Sequence, residues 1–195
     1  MRLLQRLFAS RTPDTPPNRA PASRTMRRAA ALLRSSTALV ELSDAESLSV
    51  VAHMHMRRFA EGESIVRQGE TTAGDGGFLA LVVDGEVTVE SLQPSRSQPL
   101  TVHVLGPGQM FGEVGLLDGD ARSASCTASA DAMCALLTRA ALQQLIAEEP
   151  AAAAKLLVGV GQRLGQRLRE IDTKFQLCHQ LVGSMQAEID RLTPE

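Results

Sequence analysis

The sequence predicts a mainly β domain with flanking helices: a β-sandwich or β-roll followed by one long C-terminal helix. Three observations predict it. Between residues 53 and 137, short runs rich in β-branched and apolar residues alternate with glycine-rich turns at close spacing, the pattern of a sandwich or roll. Asp84-Gly85 stands between two such runs, Leu81-Val82-Val83 and Val87-Thr88-Val89, as a strong hairpin signal. After Thr138 the period becomes helical, and it ends in a seam that repeats every 3.5 residues.

Residues 1–34 carry eight Arg against one acid, Asp14, while the whole 195-residue chain has a net charge of −2. Only this segment is basic, which argues against electrostatic nucleic-acid binding by the chain as a whole. Pro13, Pro16, Pro17 and Pro21 break helices there, so residues 1–34 are expected to be a disordered basic tail. Leu3, Leu4, Leu7 and Phe8 give its first residues a short amphipathic turn, which also resembles a transit peptide; a solvated arm is the default over membrane contact. Order is expected to begin near Leu39. Ser43 and Glu46 then form a capping box ahead of Leu48, Val50 and Val51, opening a short helix.

The β-type runs are 55–59, 64–67, 78–83, 86–90, 100–105, 123–128 and 132–137. Their turns are Glu61-Gly62, Gln68-Gly69-Glu70, Asp84-Gly85 and Gly106-Pro107-Gly108. Thr138 caps a helix whose Leu142, Leu145 and Ile146 share a face, and Pro150 suits the first position of a second one. Along the second helix Leu168, Ile171, Phe175, Cys178, Val182, Met185, Ile189 and Leu192 follow at strictly alternating steps of three and four. Such a seam persists where another helix covers it, so residues 157–192 are expected to form a homodimer coiled coil. Gly159, Gly161 and Gly165 predict softness close to the β-domain.

Several function classes are disfavoured. Five Phe and no Tyr or Trp leave no stacking platform for single-stranded nucleic acid. Cys126, Cys134 and Cys178 have neither CxxC spacing nor a His partner; reduced thiols in a cytoplasmic protein are expected. His53 and His55 alone make a poor metal site, so no metal is expected. No nucleophile–base pair or paired acids suggest hydrolysis, and an enzyme is not expected.

The informative segment is 108–124. Phe111-Gly112-Glu113 follows a strand and a Gly-Pro-Gly turn, and Val114, Leu116 and Leu117 look like one helical turn packed on the roll. A helix start exposes backbone N–H groups that favour an anion. Gly112 lets the backbone approach a ligand closely. Arg122 brings a planar fork suited to phosphate oxygens, with Ser123 beside it, and Glu113 can accept hydrogen bonds from a sugar hydroxyl. Together these describe a nucleotide clamp.

On these residues the chain resembles the cyclic nucleotide-binding domain family. Phe111-Gly112-Glu113-Val114-Gly115-Leu116-Leu117, a variable stretch, and then Ala121-Arg122-Ser123-Ala124 match its phosphate-binding cassette. Gly62-Glu63, Ile65, Gln68-Gly69-Glu70, Gly85, Gly106 and Gly108 fit supporting positions, and the likeness covers about residues 38–170. The resemblance implies an eight-stranded β-roll (jelly-roll-like, a double-stranded β-helix) followed by a long C-terminal helix, ribose binding by Gly112 and Glu113, and cyclic phosphate binding by Arg122, Ser123 and Ala124. An ion pair of Arg122 with Glu113 or Asp118 is the plain alternative.

Segment 122–150 looks alignable without gaps to bacterial transcription activators of the catabolite-activator type. In those, a Thr-Ser pair on the long helix contacts adenine across the dimer. Arg167 and Leu168 stand at the matching positions, which puts base selectivity in doubt; Arg167 meets a purine or is solvated, with solvation the default. The winged helix-turn-helix of those activators has no counterpart before Glu195, so sequence-specific DNA binding is not expected.

The expected site is therefore Phe111, Gly112, Glu113, Val114, Arg122, Ser123 and Ala124, with Arg167 as a possible base contact and no catalytic residue or cofactor. The expected ligand is a cyclic nucleotide, with cyclic AMP favoured over cyclic GMP and cyclic di-GMP. The expected organisation is a tail (1–34), a binding domain (35–149) and a dimerisation helix (150–195) that signals to an unidentified partner protein. The rivals are a structural dimer with a vestigial pocket and a transcription-regulator relative whose basic arm touches DNA.

Overall fold

The computed structural model describes residues 23–35, 41–71, 77–91 and 100–192. The elements are α1 (Arg24–Leu33), α2 (Asp44–Ala52), β1 (His55–Phe59), β2 (Ser64–Val66), β3 (Phe78–Asp84), β4 (Val87–Ser91), β5 (Leu100–Leu105), β6 (Met110–Phe111), α3 (Glu113–Leu117), β7 (Ser125–Ala128), β8 (Ala132–Thr138), α4 (Arg139–Glu148) and α5 (Pro150–Leu192). The strands form two four-stranded antiparallel sheets, ordered β1-β8-β3-β6 and β2-β7-β4-β5. This is the eight-stranded roll with flanking helices that the family resemblance implies. Its two-residue strand β6 escaped the pattern of runs because it is too short to alternate.

Period 2 in β3 explains the layering. Ala80 and Val82 point between the sheets, together with Phe59, Val87, Val89, Phe111, Cys134 and Leu136. Leu79, Leu81 and Val83 point the other way, into a second core shared with α1, α2, α4 and α5. A strand buried on both faces reads as a continuous apolar run rather than an alternation, and Phe78-Leu-Ala-Leu-Val-Val83 is such a run.

The Asp84-Gly85 turn does not close a hairpin. β3 lies between β8 and β6, so both of its edges are already paired, and β4 crosses to the other sheet. Gly85 has φ +76°, and a Cβ there would lie 2.1 Å from the Asp131 carbonyl oxygen. The tight, left-handed turn is real, but it makes a corner between sheets.

The tail expected through residue 34 is corrected at α1. Ser23 caps this helix by accepting from the Met26 N–H, and Ala29, Ala30 and Leu33 are buried in the helix-side core. Arg28 reaches Asp84 at 2.9 Å, and Arg34 pairs with Asp44. A ten-residue helix is marginal alone, so its order depends on the sheet beneath it, which local composition cannot report. The segment before Ser23, including the basic amphipathic turn, lies outside the described residues.

The caps read from sequence are in place. Ser43 and Glu46 make both hydrogen bonds of the capping box on α2, and Thr138 accepts from Ala141 at the start of α4. α5 begins at Pro150 and continues as one 43-residue helix through its glycines. Ala152, Ala153, Leu156 and Val160 anchor its first turns in the core, and Lys155 bonds Glu46 at 2.7 and 2.8 Å.

Candidate functional site

The turn 106–109 is locked before the site begins. Gly108 donates to the Val82 carbonyl and Val82 to the Gln109 carbonyl, both at 2.9 Å, while the Gln109 side chain accepts from Gly106. β6 then delivers Phe111 into the inter-sheet core and ends at Gly112, which caps α3 in the left-handed region at φ +81°. A Cβ on Gly112 would sit 2.5 Å from the Phe78 carbonyl oxygen, so only glycine lets the chain pass this close to β3. α3 has no side-chain cap at its start. At its other end, Arg139 of α4 donates Nε and Nη2 to the Leu116 carbonyl oxygen. Only Leu116 of its apolar residues is buried; Val114 and Leu117 are exposed, contrary to the expectation that all three pack on the roll.

Arg122 follows in the stretch before β7. Its backbone is pinned on both sides: its N–H donates to Glu70 and its carbonyl accepts from Gly69. The side chain is 7% exposed, and its guanidinium carbon lies 4.5 Å from the centre of the Phe78 ring. Among the described residues, neither Nη1 nor Nη2 has a hydrogen-bond partner. The expected alternative, an ion pair with Glu113 or Asp118, is not formed. Burial pulls the Arg122 pKa below its ordinary value, partly opposed by Cys126, Glu70 and Asp118 nearby. The face of an aromatic ring stabilises a cation by about 1–2 kcal/mol, less than burying a charge without hydrogen bonds costs. Two aligned, buried donors without acceptors call for an anion with two oxygens.

Glu113 is the next buried charge. Its Oε1 accepts from Arg167 Nη1 of α5 at 3.1 Å; the carboxylate is nearly buried, while the Arg167 side chain is 42% exposed. Arg163, one turn earlier on α5, donates to the Met110 carbonyl oxygen at 3.1 Å. Between the cassette, the strands and α5 lies a cavity of about 480 Å³. Phe111, Gly112, Glu113, Val114, Arg122, Ser123, Ala124 and Arg167 all line it. The volume suits a small organic ligand.

The segment that builds this site has a match among known proteins. Residues 56–149 match the family model described as cyclic nucleotide-binding domain. The chain belongs to the cyclic nucleotide-binding domain family. It is 34% identical over 127 residues to the cyclic AMP receptor protein of Thermus thermophilus, covering 65% of this chain and 55% of that one. It is 33% identical over 118 residues to the cGMP-dependent protein kinase, isozyme 1, of Drosophila melanogaster, covering 60% and 15%. Among solved structures, a cyclic nucleotide-binding domain from Methylobacillus flagellatus superposes with a TM-score of 0.64 at 30% identity, covering 74% of this chain and 79% of that one. The chain thus spans about half the length of the Thermus relative and 15% of the kinase.

Within this cyclic nucleotide-binding domain, several cavity residues carried no signal in the sequence. His103 of β5, Arg163, Gln166 and Glu170 of α5 and Cys126 of β7 also line the cavity. Arg163 stands four residues before Arg167 and Glu170 three after it, so a helical wheel drawn from Arg167 finds both, while Gln166 is its immediate neighbour. His103 is held below its ordinary pKa by burial first, then by Arg167 and Lys174, with Glu170 opposing. Burial pushes the Cys126 thiol up to about 12, so it is an inert wall. Phe78, beneath Arg122, comes from β3, the strand paired with β6. The His53 ring bonds the Ser49 carbonyl and Glu148.

Proposed function

We propose that this chain is a cyclic-nucleotide-responsive regulatory module in which the cyclic phosphate seats on Arg122 and the ribose on Glu113. The observation that carries the proposal is the buried Arg122 fork with both terminal nitrogens unpartnered. Ser123 and Ala124 offer amides and a hydroxyl beside it, and Gly112 and Val114 border the sugar. Glu113 accepts from Arg167 through Oε1, and its second oxygen serves a ribose hydroxyl. The role is regulatory, with no bond made or broken.

Arg163 and Arg167 connect the cassette to α5, whose exposed seam runs from Leu168 to Leu192. In this proposal the seam pairs with a second copy, and ligand binding shifts the set of the dimer helix and so its contact with a partner protein. Ligand moves that equilibrium only by its differential affinity for the two arrangements. Free cysteines favour a cytoplasmic setting. Cyclic AMP is the ligand suggested by likeness to the Thermus receptor, while the kinase relative carries cyclic GMP in its name; the cavity wall bears on that choice below.

Calorimetric titration tests the proposal. Arg122→Leu removes the phosphate's charge partner and is expected to cost about 2–5 kcal/mol, roughly 30- to 4000-fold in affinity for cyclic nucleotide. Equal binding by wild type and Arg122→Leu would falsify it.

A further inference from the structure

We infer that the α5 end of the cavity selects guanine over adenine, through Arg167 and Glu170. The inference rests on the proposed function and adds the identity of the base. With the phosphate on Arg122 and the sugar on Glu113, the base extends past Glu113 toward Arg167, which touches that carboxylate at 3.1 Å. The wall there is Gln166, Arg167 and Glu170 from one face of α5 and His103 from β5. His103, Arg167 and Glu170 line the same cavity, which places the three groups around one space.

The donor pattern of this wall fits one purine. Guanine presents two adjacent acceptors, O6 and N7, and a donor edge at N1 and N2. Adenine presents N7 beside an N6 donor, and its N1 is an acceptor. An arginine fork offers only donors, so it matches O6 and N7 together and meets the adenine N6 amino group donor to donor. A carboxylate offers only acceptors: it takes the N1 and N2 hydrogens of guanine together and opposes N1 of adenine. Arg167 uses one of its five N–H groups on Glu113 in the bond described, which leaves donors for a base.

The side chain suited to adenine is turned elsewhere. An amide reads adenine with its NH2 and its carbonyl together. Gln166 directs its Nε2 to Glu170 Oε1 at 3.3 Å, so it orients the carboxylate rather than facing a base with its donor. His103 supplies a ring against which either purine can stack, so it adds affinity without discrimination.

Titration of the full chain with cyclic GMP and cyclic AMP separates the outcomes. Wild type is expected to prefer cyclic GMP by roughly 5- to 150-fold, the discrimination carried by one good bidentate contact. Arg167→Gln is expected to reverse or abolish the preference, and Glu170→Gln to reduce it. The readout is the ratio of the two affinities, because loss of a merely structural pair would weaken both ligands alike. Equal or tighter binding of cyclic AMP by wild type overturns the base assignment and leaves the proposed function standing. Preferred binding of cyclic di-GMP overturns the seating of one cyclic phosphate on Arg122, and with it the base placement argued from that seating. Absence of binding by any of the three removes both.

Discussion

The two halves of α5 share one helix, one apolar period and one sequence style, yet they meet different surroundings. Over the first turns, Ala152, Ala153, Leu156 and Val160 are at most 2% exposed, packed with α2, α4 and the β3 face. From Leu168 onward the same spacing leaves Ile171, Val182, Met185 and Ile189 more than half exposed, and Phe175 reaches 73%. A 43-residue helix is about 65 Å long, beyond the reach of a roll of this size. Periodicity therefore states that a stripe will be covered, not by what. The proximal stripe is covered within the chain, and the distal one is, in our proposal, covered by a second copy. Arg163 and Arg167 sit at the junction, where the cavity meets the helix.

Three substitutions break or sharpen this contrast. The largest effect is expected at Leu156, 1% exposed: Leu156→Ala should destabilise the fold by about 2–5 kcal/mol in urea unfolding, with the oligomeric state of the folded fraction unchanged. The converse is expected at Phe175. Phe175→Asp places a charge in the proposed seam and should weaken dimerisation by roughly 100-fold or more, leaving cyclic nucleotide binding by the roll intact. Sedimentation equilibrium reads this directly; a wild-type chain that stays monomeric across the concentration range sinks the dimer.

The smallest effect concerns the tie between α2 and the proximal half. Hydrogen bonds from Lys155, then from the Ser43 backbone and side chain, hold the Glu46 carboxyl down to about 2 from its usual 4.5. A pKa depressed by folding contributes stability that is fully present above pH 4.5 and fades as pH falls toward 2. Glu46→Gln should lower the urea midpoint modestly at neutral pH, where the tie is fully formed, and flatten its acid limb in that window. A limb as steep as wild type would show the tie to be ornamental.

Legibility in the sequence followed range. The cassette was readable because residues 111 to 124 carry most of the phosphate end within one short stretch, and all seven of its named residues line the cavity. The caps at Ser43 and Thr138 were readable because each acts over three residues. Arg167 was expected to be solvated because its partner, Glu113, lies 54 positions away. α1 was taken for tail because its burial depends on β3, and Asp84-Gly85 for a hairpin because nothing local reveals that both edges of β3 are occupied. His103 has no neighbour in sequence that marks it as cavity wall.

The amino-acid order alone determined the helix starts, the glycine turns and the residue types of the cassette, since each depends on groups a few residues apart. Tertiary structure alone decided that the Arg122 fork is buried without an acceptor, that Arg167 holds Glu113, and that α5 is covered over only part of its length. Those facts depend on which distant surfaces meet, and burial changes the energy of a charge far more than its sequence neighbours do.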